Sequence, residues 1–237
     1  MKNKIIFLSG LLCDTTIWQK QITYFASDYE IEAFEFSHFT NIQDMAKKVI
    51  SSLTEPVTVI GHSMGARVAL EVFRFAPQLV SKIALIDFGI HNIKPSEADK
   101  RFELIHAVRV HGMPYLIHNW LEPMVYPPNI SKTDIFSPMK KMVLGQTIDS
   151  FEAQINALLT RPDVIDVFKN IHIPLYLGVG RQDQWSTLVQ HQNMLELNSN
   201  AQLNIYENSG HMTPLEAAEQ FNTSLEKWMK LNEYEYE

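Results

Sequence analysis

A chain of 237 residues, 46% of them hydrophobic, is long enough to bury the core of one globular α/β domain. Its formal net charge of -7 offers no broad cationic field to phosphate backbones or anionic headgroups, so nucleic acid and membrane surfaces are excluded as expected partners. The one cysteine, Cys13, excludes an internal disulfide and fits a reducing compartment.

In chain order, the first predicted strand covers residues 4–8. Ser9, Gly10 and Asp14 interrupt its apolar run before a secretory signal can develop, and no later stretch is long enough to span a bilayer. A soluble, cytoplasmic protein is therefore expected. Further apolar, β-branched runs lie at residues 31–36, 57–60, 82–86, 175–179 and 203–206. Their near-continuous hydrophobicity predicts a mostly parallel six-stranded sheet covered by helices on both faces. Between strands, Val68, Ala69, Val72, Phe73 and Ala76 form a helical stripe over residues 66–76, closed by Pro77. From about residue 92 to residue 174 the strand rhythm stops and Pro95, Pro114, Pro123, Pro127, Pro128, Pro138 and Pro162 punctuate short helical patterns, which predicts a helical cap inserted into the same domain. An amphipathic helix over residues 214–231 closes the fold, and the acidic tail 233–237 is expected to fray.

Gly61-His62-Ser63-Met64-Gly65 sits between a predicted strand and a predicted helix, the setting of a nucleophile elbow. Glycines at 61 and 65 let backbones approach at a sharp bend, holding Ser63 at the carboxyl edge of the sheet, where open α/β sheets form ligand crevices. A neutral hydroxyl needs a positioned base. Among nine histidines, His211 in Ser209-Gly210-His211-Met212 follows the last predicted strand and precedes the last helix. His62, inside the elbow, is expected to point away from the serine. The carboxylate that orients the base is Asp183, just beyond the strand at 175–179, with Asp87 after the strand at 82–86 as the rival. Donors for an oxyanion are expected from the backbone N–H groups of Met64 and Leu11, with Leu12 as the alternative. Cys13, with no basic partner nearby, reads as a packing residue.

The segments Leu8-Ser9-Gly10-Leu11-Leu12-Cys13-Asp14, Gly61 to Leu70, Gly180-Arg181-Gln182-Asp183 and Ser209 to Pro214 together resemble the α/β-hydrolase superfamily, notably its compact bacterial esterase-like branch. The resemblance implies that fold, the triad Ser63, Asp183 and His211, and activity on carboxylic esters or related acyl compounds without a metal or organic cofactor. Two segments depart from the pattern: Ser9-Gly10 stands where His-Gly is common, and Ser37-His38-Phe39-Thr40 replaces a glycine-rich loop.

The expected partner is a small-molecule ester or acyl substrate. Bulky apolar cap residues, among them Trp120 and Met124, suggest an acyl pocket between cap and sheet, and Leu12, His38, Trp185 and Met212 are the other candidate substrate contacts. Three functions follow: an esterase or thioesterase working through an acyl-enzyme, a C–C bond hydrolase or proton-abstracting lyase on the same residues, or a non-enzymatic receptor that keeps the fold and the pocket.

Overall fold

The structure, a computed structural model, describes residues 2–230. The fraying expected for residues 233–237, and the last residue of the predicted closing helix, lie outside this range.

The chain opens with β1 (Lys4–Leu8), a 3-10 turn at Thr15–Trp18, α1 (Gln19–Phe25), β2 (Glu30–Phe34), α2 (Ile42–Ile50), β3 (Val57–His62), α3 (Met64–Phe75) and β4 (Val80–Ile86). Asp14 starts the 3-10 turn by accepting from Thr16 N–H at 2.7 Å, and Asn41 starts α2 by accepting from Asp44 N–H at 2.8 Å. Between β4 and β5 (Leu175–Gly180) the chain is helical. It carries α4 (Glu97–His111), a π turn at Ile117–Leu121, α5 (Pro127–Ile130), α6 (Thr133–Leu144), α7 (Ile148–Leu159) and α8 (Ile165–Lys169). After β5 come α9 (Leu188–Leu197), β6 (Ala201–Tyr206), α10 (Thr213–Glu216) and α11 (Ala218–Met229).

The strands form one sheet in the order β2-β1-β3-β4-β5-β6, and every adjacent pair is parallel. Such a sheet needs helices on its faces, and its central strands are correspondingly buried along their whole length: β3 and β5 expose no residue. The chain passes from β1 outward to β2 and then returns to place β3 on the other side of β1. The loops leaving β1 and β3 therefore diverge, and a crevice opens at their carboxyl ends.

Several boundaries differ from the sequence expectation, and three of them have a visible cause. β2 stops at Phe34; Phe36 leaves the sheet to become buried edge-on against Phe39, with ring centroids 6.0 Å apart. β4 begins at Val80 because Val57 pairs with it across a register shift. The closing helix breaks at Ala217, whose φ of -125° is not helical. The break leaves Glu216 free to turn its carboxylate back onto the N–H groups of Gly210 and Met212, at 2.9 and 3.1 Å.

Candidate active site

Ser63 stands between β3 and α3 with φ 53° and ψ -111°, a conformation that costs a non-glycine residue about 1–3 kcal/mol and persists only where its surroundings enforce it. Here the surroundings are backbone. Ser63 N–H donates to Ile86 O at 2.9 Å, which ties the turn to β4. A Cβ on Gly61 would collide with the Gly65 carbonyl, and one on Gly65 would collide with the carbonyl of Leu8 at the end of β1. Neither neighbour is a flexible side chain that can swing aside. Gly65→Ala is accordingly expected to destabilise the fold by about 1–3 kcal/mol, read as a lower urea midpoint at unchanged slope. An unchanged midpoint would mean that the elbow yields.

His211 arrives on the loop after β6. Its N–H donates to Met124 O at 2.7 Å and its carbonyl accepts from His62 Nε2 at 2.8 Å, so the backbone on both sides of the imidazole is held. The ring bridges two partners: Nε2 lies 2.9 Å from Ser63 Oγ, and Nδ1 lies 2.7 Å from Asp183 Oδ2. Asp183 is positioned by its own loop, since Oδ1 accepts the N–H groups of Trp185 and Ser186 at 2.7 and 2.9 Å. The structure thus joins three side chains from three loops at one rim of the sheet. Tautomer and proton positions follow from the partners: a carboxylate at Nδ1 requires the proton there, which leaves Nε2 free to accept one.

Electrostatics favour the same arrangement. Burial opposes a charged imidazole at His211, but the adjacent Asp183 charge and hydrogen bond outweigh it, and the pKa rises above the ordinary histidine value. For Asp183 burial again works against charge, yet His211 and the two loop N–H groups hold the carboxyl below its usual range.

Asp87, the rival carboxylate, has a different place. It sits fully buried at the end of β4 with φ 49° and accepts Gly180 N–H at 3.1 Å, Thr213 N–H at 3.0 Å and Thr213 Oγ1–H at 2.9 Å. It makes no hydrogen bond to the His211 ring among the described residues. Burial and then the neighbouring Asp183 charge push its pKa up, whereas that of Asp183 is held down, so of two adjacent carboxyls Asp183 is the one that holds its negative charge more readily. Asp87 ties the loop after β5 to the start of α10.

His62 makes no hydrogen bond to the Ser63 hydroxyl among the described residues: its buried ring packs between Trp18 and His211, with centroids 6.2 and 5.4 Å away. Burial, then the proximity of His211, depresses its pKa to about 3, so it stays neutral and serves as the donor to the His211 carbonyl. Cys13 is buried, and burial pushes its thiol pKa up, as suits a packing residue.

Leu11 and Met64 flank Ser63 in the cavity wall, and neither backbone N–H meets a protein acceptor among the described residues. At the first turn of α3 that is the normal condition of an N–H, and it leaves the donor for a ligand. Leu12 is corrected on both counts. Its N–H is committed to Gln154 Oε1 at 2.8 Å, and its side chain is fully buried outside the cavity lining. His38 is corrected too: it is exposed on the turn after β2 and does not line the cavity. Trp120, Met124, Trp185 and Met212 do line it. Trp185, half exposed, stands over both Trp120 and His211 at centroid distances of 6.5 and 6.4 Å.

The cavity measures about 340 Å³, the size of a small-molecule site, and runs from Ser63 under the helices that follow β4. Among the described residues no three His, Cys, Asp or Glu side chains converge as a metal-binding set. No helix there is long and apolar enough to cross a membrane.

Sequence reasoning missed two supporting residues. Gln154 on α7 joins Leu12 N–H to Phe36 O, at 2.8 and 3.1 Å, and so ties the loop after β1 to the segment after β2. Glu216 holds the His211 loop and also accepts Tyr126 N–H at 2.8 Å and Asn129 Nδ2 at 3.0 Å from the inserted helices. Both bridge positions far apart in the chain, for which local patterning carries no signal.

Comparison with known proteins agrees with this fold. A 22% identical relative is (E)-2-((N-methylformamido)methylene)succinate hydrolase of Acinetobacter baylyi, aligned over 95% of this chain and 90% of that protein. Among solved structures, a thermophilic esterase from Thermogutta terrifontis superimposes with TM-score 0.88 at 17% identity, covering 97% of this chain and 90% of the esterase. The enol-lactonase from Burkholderia xenovorans superimposes with TM-score 0.87 at 13% identity, covering 98% of this chain and 92% of the lactonase. The model of the alpha/beta hydrolase family matches residues 5–223, and with it the chain belongs to that family, as an enzyme of hydrolase type.

Proposed function

We propose that the protein is a serine hydrolase that cleaves a small carboxylic ester or thioester through an acyl-enzyme on Ser63. The observation that carries this reading is the hydrogen-bonded relay from Ser63 Oγ through His211 to Asp183, opening into a cavity beside two uncommitted backbone N–H groups. In the first half-reaction Ser63 Oγ bonds to the acyl carbon while its proton passes to His211 Nε2. The developing oxyanion is met by Leu11 and Met64 N–H, and the imidazolium returns the proton to the departing alkoxide or thiolate. Water then enters, loses its proton to the same nitrogen and releases the acid, restoring Ser63. Asp183, charged throughout, keeps the ring in the accepting tautomer and stabilises the imidazolium.

A fluorophosphonate probe tests the reading. The expected result is a single phosphonyl adduct on the peptide containing Ser63, together with release of acid plus alcohol or thiol from a panel of short-chain esters and thioesters. Folded protein that neither takes the label nor turns over any member of the panel would overturn the proposal. Cleavage of a C–C bond in preference to every ester would replace it with the C–C hydrolase reading.

A further inference from the structure

Part of the cavity lining has a character that a neutral ester does not require. Arg67, Lys100, Arg101 and Arg161 all line the cavity, and Glu97 is the single acidic side chain among the described residues that do so. The chain as a whole has 27 acidic against 20 basic residues, so this local excess of positive charge runs against its overall balance.

Glu97 is already shared. It accepts Arg161 Nη1 and Nη2 at 2.6 and 2.7 Å, and Arg101 Nε at 3.0 Å. Arg67 has no ion pair among the described residues. Its Nη2 donates to the carbonyls of Gly89 and His91 at 2.6 and 2.7 Å, and Phe88 lies against its guanidinium with the ring centroid 5.4 Å away. Nη1 is buried and has no partner, in a residue only 5% exposed. Burial, then repulsion from Arg161, lowers the pKa of Arg67 to about 9, which still leaves it charged at neutral pH. An unpaired buried cation is costly, and the two carbonyls and the aromatic ring fix its direction without neutralising it.

The position is as informative as the charge. Arg67 lies in the first turn of α3, the helix that Ser63 immediately precedes, and both residues line the same cavity. We propose that the substrate carries a carboxylate a few bonds from its scissile acyl carbon, seated on Arg67 Nη1 with Arg161 and Lys100 flanking it. The proposal rests on the serine-hydrolase reading for the scissile end, while the anion site itself stands on the cavity alone. A monoanion suits it, because one N–H edge of Arg67 is available and Arg161 and Arg101 are already engaged with Glu97.

Two measurements test this independently. In the first, kcat/KM is compared for the mono-p-nitrophenyl ester of glutarate and for p-nitrophenyl hexanoate, a neutral ester of similar length. Wild-type protein is expected to favour the glutarate half-ester by at least about ten-fold, and Arg67→Gln to reduce that preference by roughly 30-fold, the effect of unpairing one buried charge. Arg67→Lys, which keeps the charge, restores part of it. Equal or greater activity on the hexanoate ester in wild type overturns the proposal, whether or not the variants fold.

The second measurement is calorimetric titration of Ser63→Ala with glutarate and, separately, with inorganic phosphate. Saturable glutarate binding that disappears on adding Arg67→Gln supports the proposal. No glutarate binding, or tighter binding of phosphate, overturns it. Glutarate binding by Ser63→Ala, with a wild-type protein that neither takes the fluorophosphonate label nor turns over any ester or thioester, would sink the hydrolase reading and leave the anion site standing, so the two failures are distinct.

Discussion

Ser63→Ala and His211→Ala are each expected to lower kcat by about 10⁶-fold, and the double variant to be no slower than either single one. The reason lies in how the two groups work in the proposed mechanism. Removing Oγ removes the atom that bonds to the acyl carbon, and removing the imidazole leaves a hydroxyl whose proton has nowhere to go. Either loss disables the same step, so the second adds nothing. Residual turnover above the uncatalysed rate then measures what the Leu11 and Met64 N–H groups and substrate binding achieve alone. The variants should keep their stability to within roughly 1 kcal/mol for Ser63→Ala, since the turn is enforced by Gly61, Gly65 and the bond from residue 63 N–H to Ile86 O rather than by the hydroxyl. The check is saturation kinetics on purified variants alongside urea unfolding. Multiplicative effects in the double variant would show that serine and histidine act in separate steps, and would end the case for a nucleophile–base pair.

How much of this could be read from the chain depends on the range of the interactions. The strands were legible because a parallel strand buried on both faces is an apolar run in its own right, and residues 57–60 and 175–179 fall within β3 and β5. The strand-turn-helix around Ser63 was legible because its sterics are local: glycines two residues either side of the serine, a strand before and a helix after. Sheet order was not, because nothing in the sequence of β2 or β3 says which side of β1 each occupies. The cavity was legible only at its apolar end. Trp120 and Met124 announce themselves as bulky residues in the inserted segment, whereas the pairing of Arg161 with Glu97 spans 64 positions and that of Gln154 with Leu12 spans 142. Leu12 was misread for that reason, since the acceptor that engages its N–H lies on a distant helix. Arg67 was not singled out either, although it is a charged residue in the first turn of a helix otherwise read as apolar and buried.

The two carboxyls beneath His211 set up the sharpest discrimination. Asp183→Asn is expected to lower kcat by about 10⁴-fold, and Asp87→Asn by less than about ten-fold. An amide at 183 can offer its own N–H to Nδ1, which forces the ring proton onto Nε2, the atom that has to accept from Ser63. At position 87 the carboxyl lies outside the Ser63–His211–Asp183 relay: an amide keeps one oxygen for Gly180 N–H and Thr213 Oγ1–H and sets its NH2 against Thr213 N–H, so the cost falls on the tie between the loop after β5 and α10 rather than on the relay. The pH profile separates a lost charge from a lost shape. His211 must be neutral to act as base, and its pKa is held above the ordinary value of about 6.5 by Asp183. Wild-type kcat/KM should therefore fall as pH drops through that raised pKa. In Asp183→Asn, burial is left to disfavour the imidazolium without the charge that opposed it, and the acid limb of the residual activity should move to lower pH. Asp87→Asn should move the limb less, because the charge and hydrogen bond of Asp183 outrank the charge of Asp87 in raising the His211 pKa. If the limb instead moves in Asp87→Asn and stays fixed in Asp183→Asn, the negative charge that His211 depends on is at the end of β4, and the assignment of the two carboxyls must be exchanged.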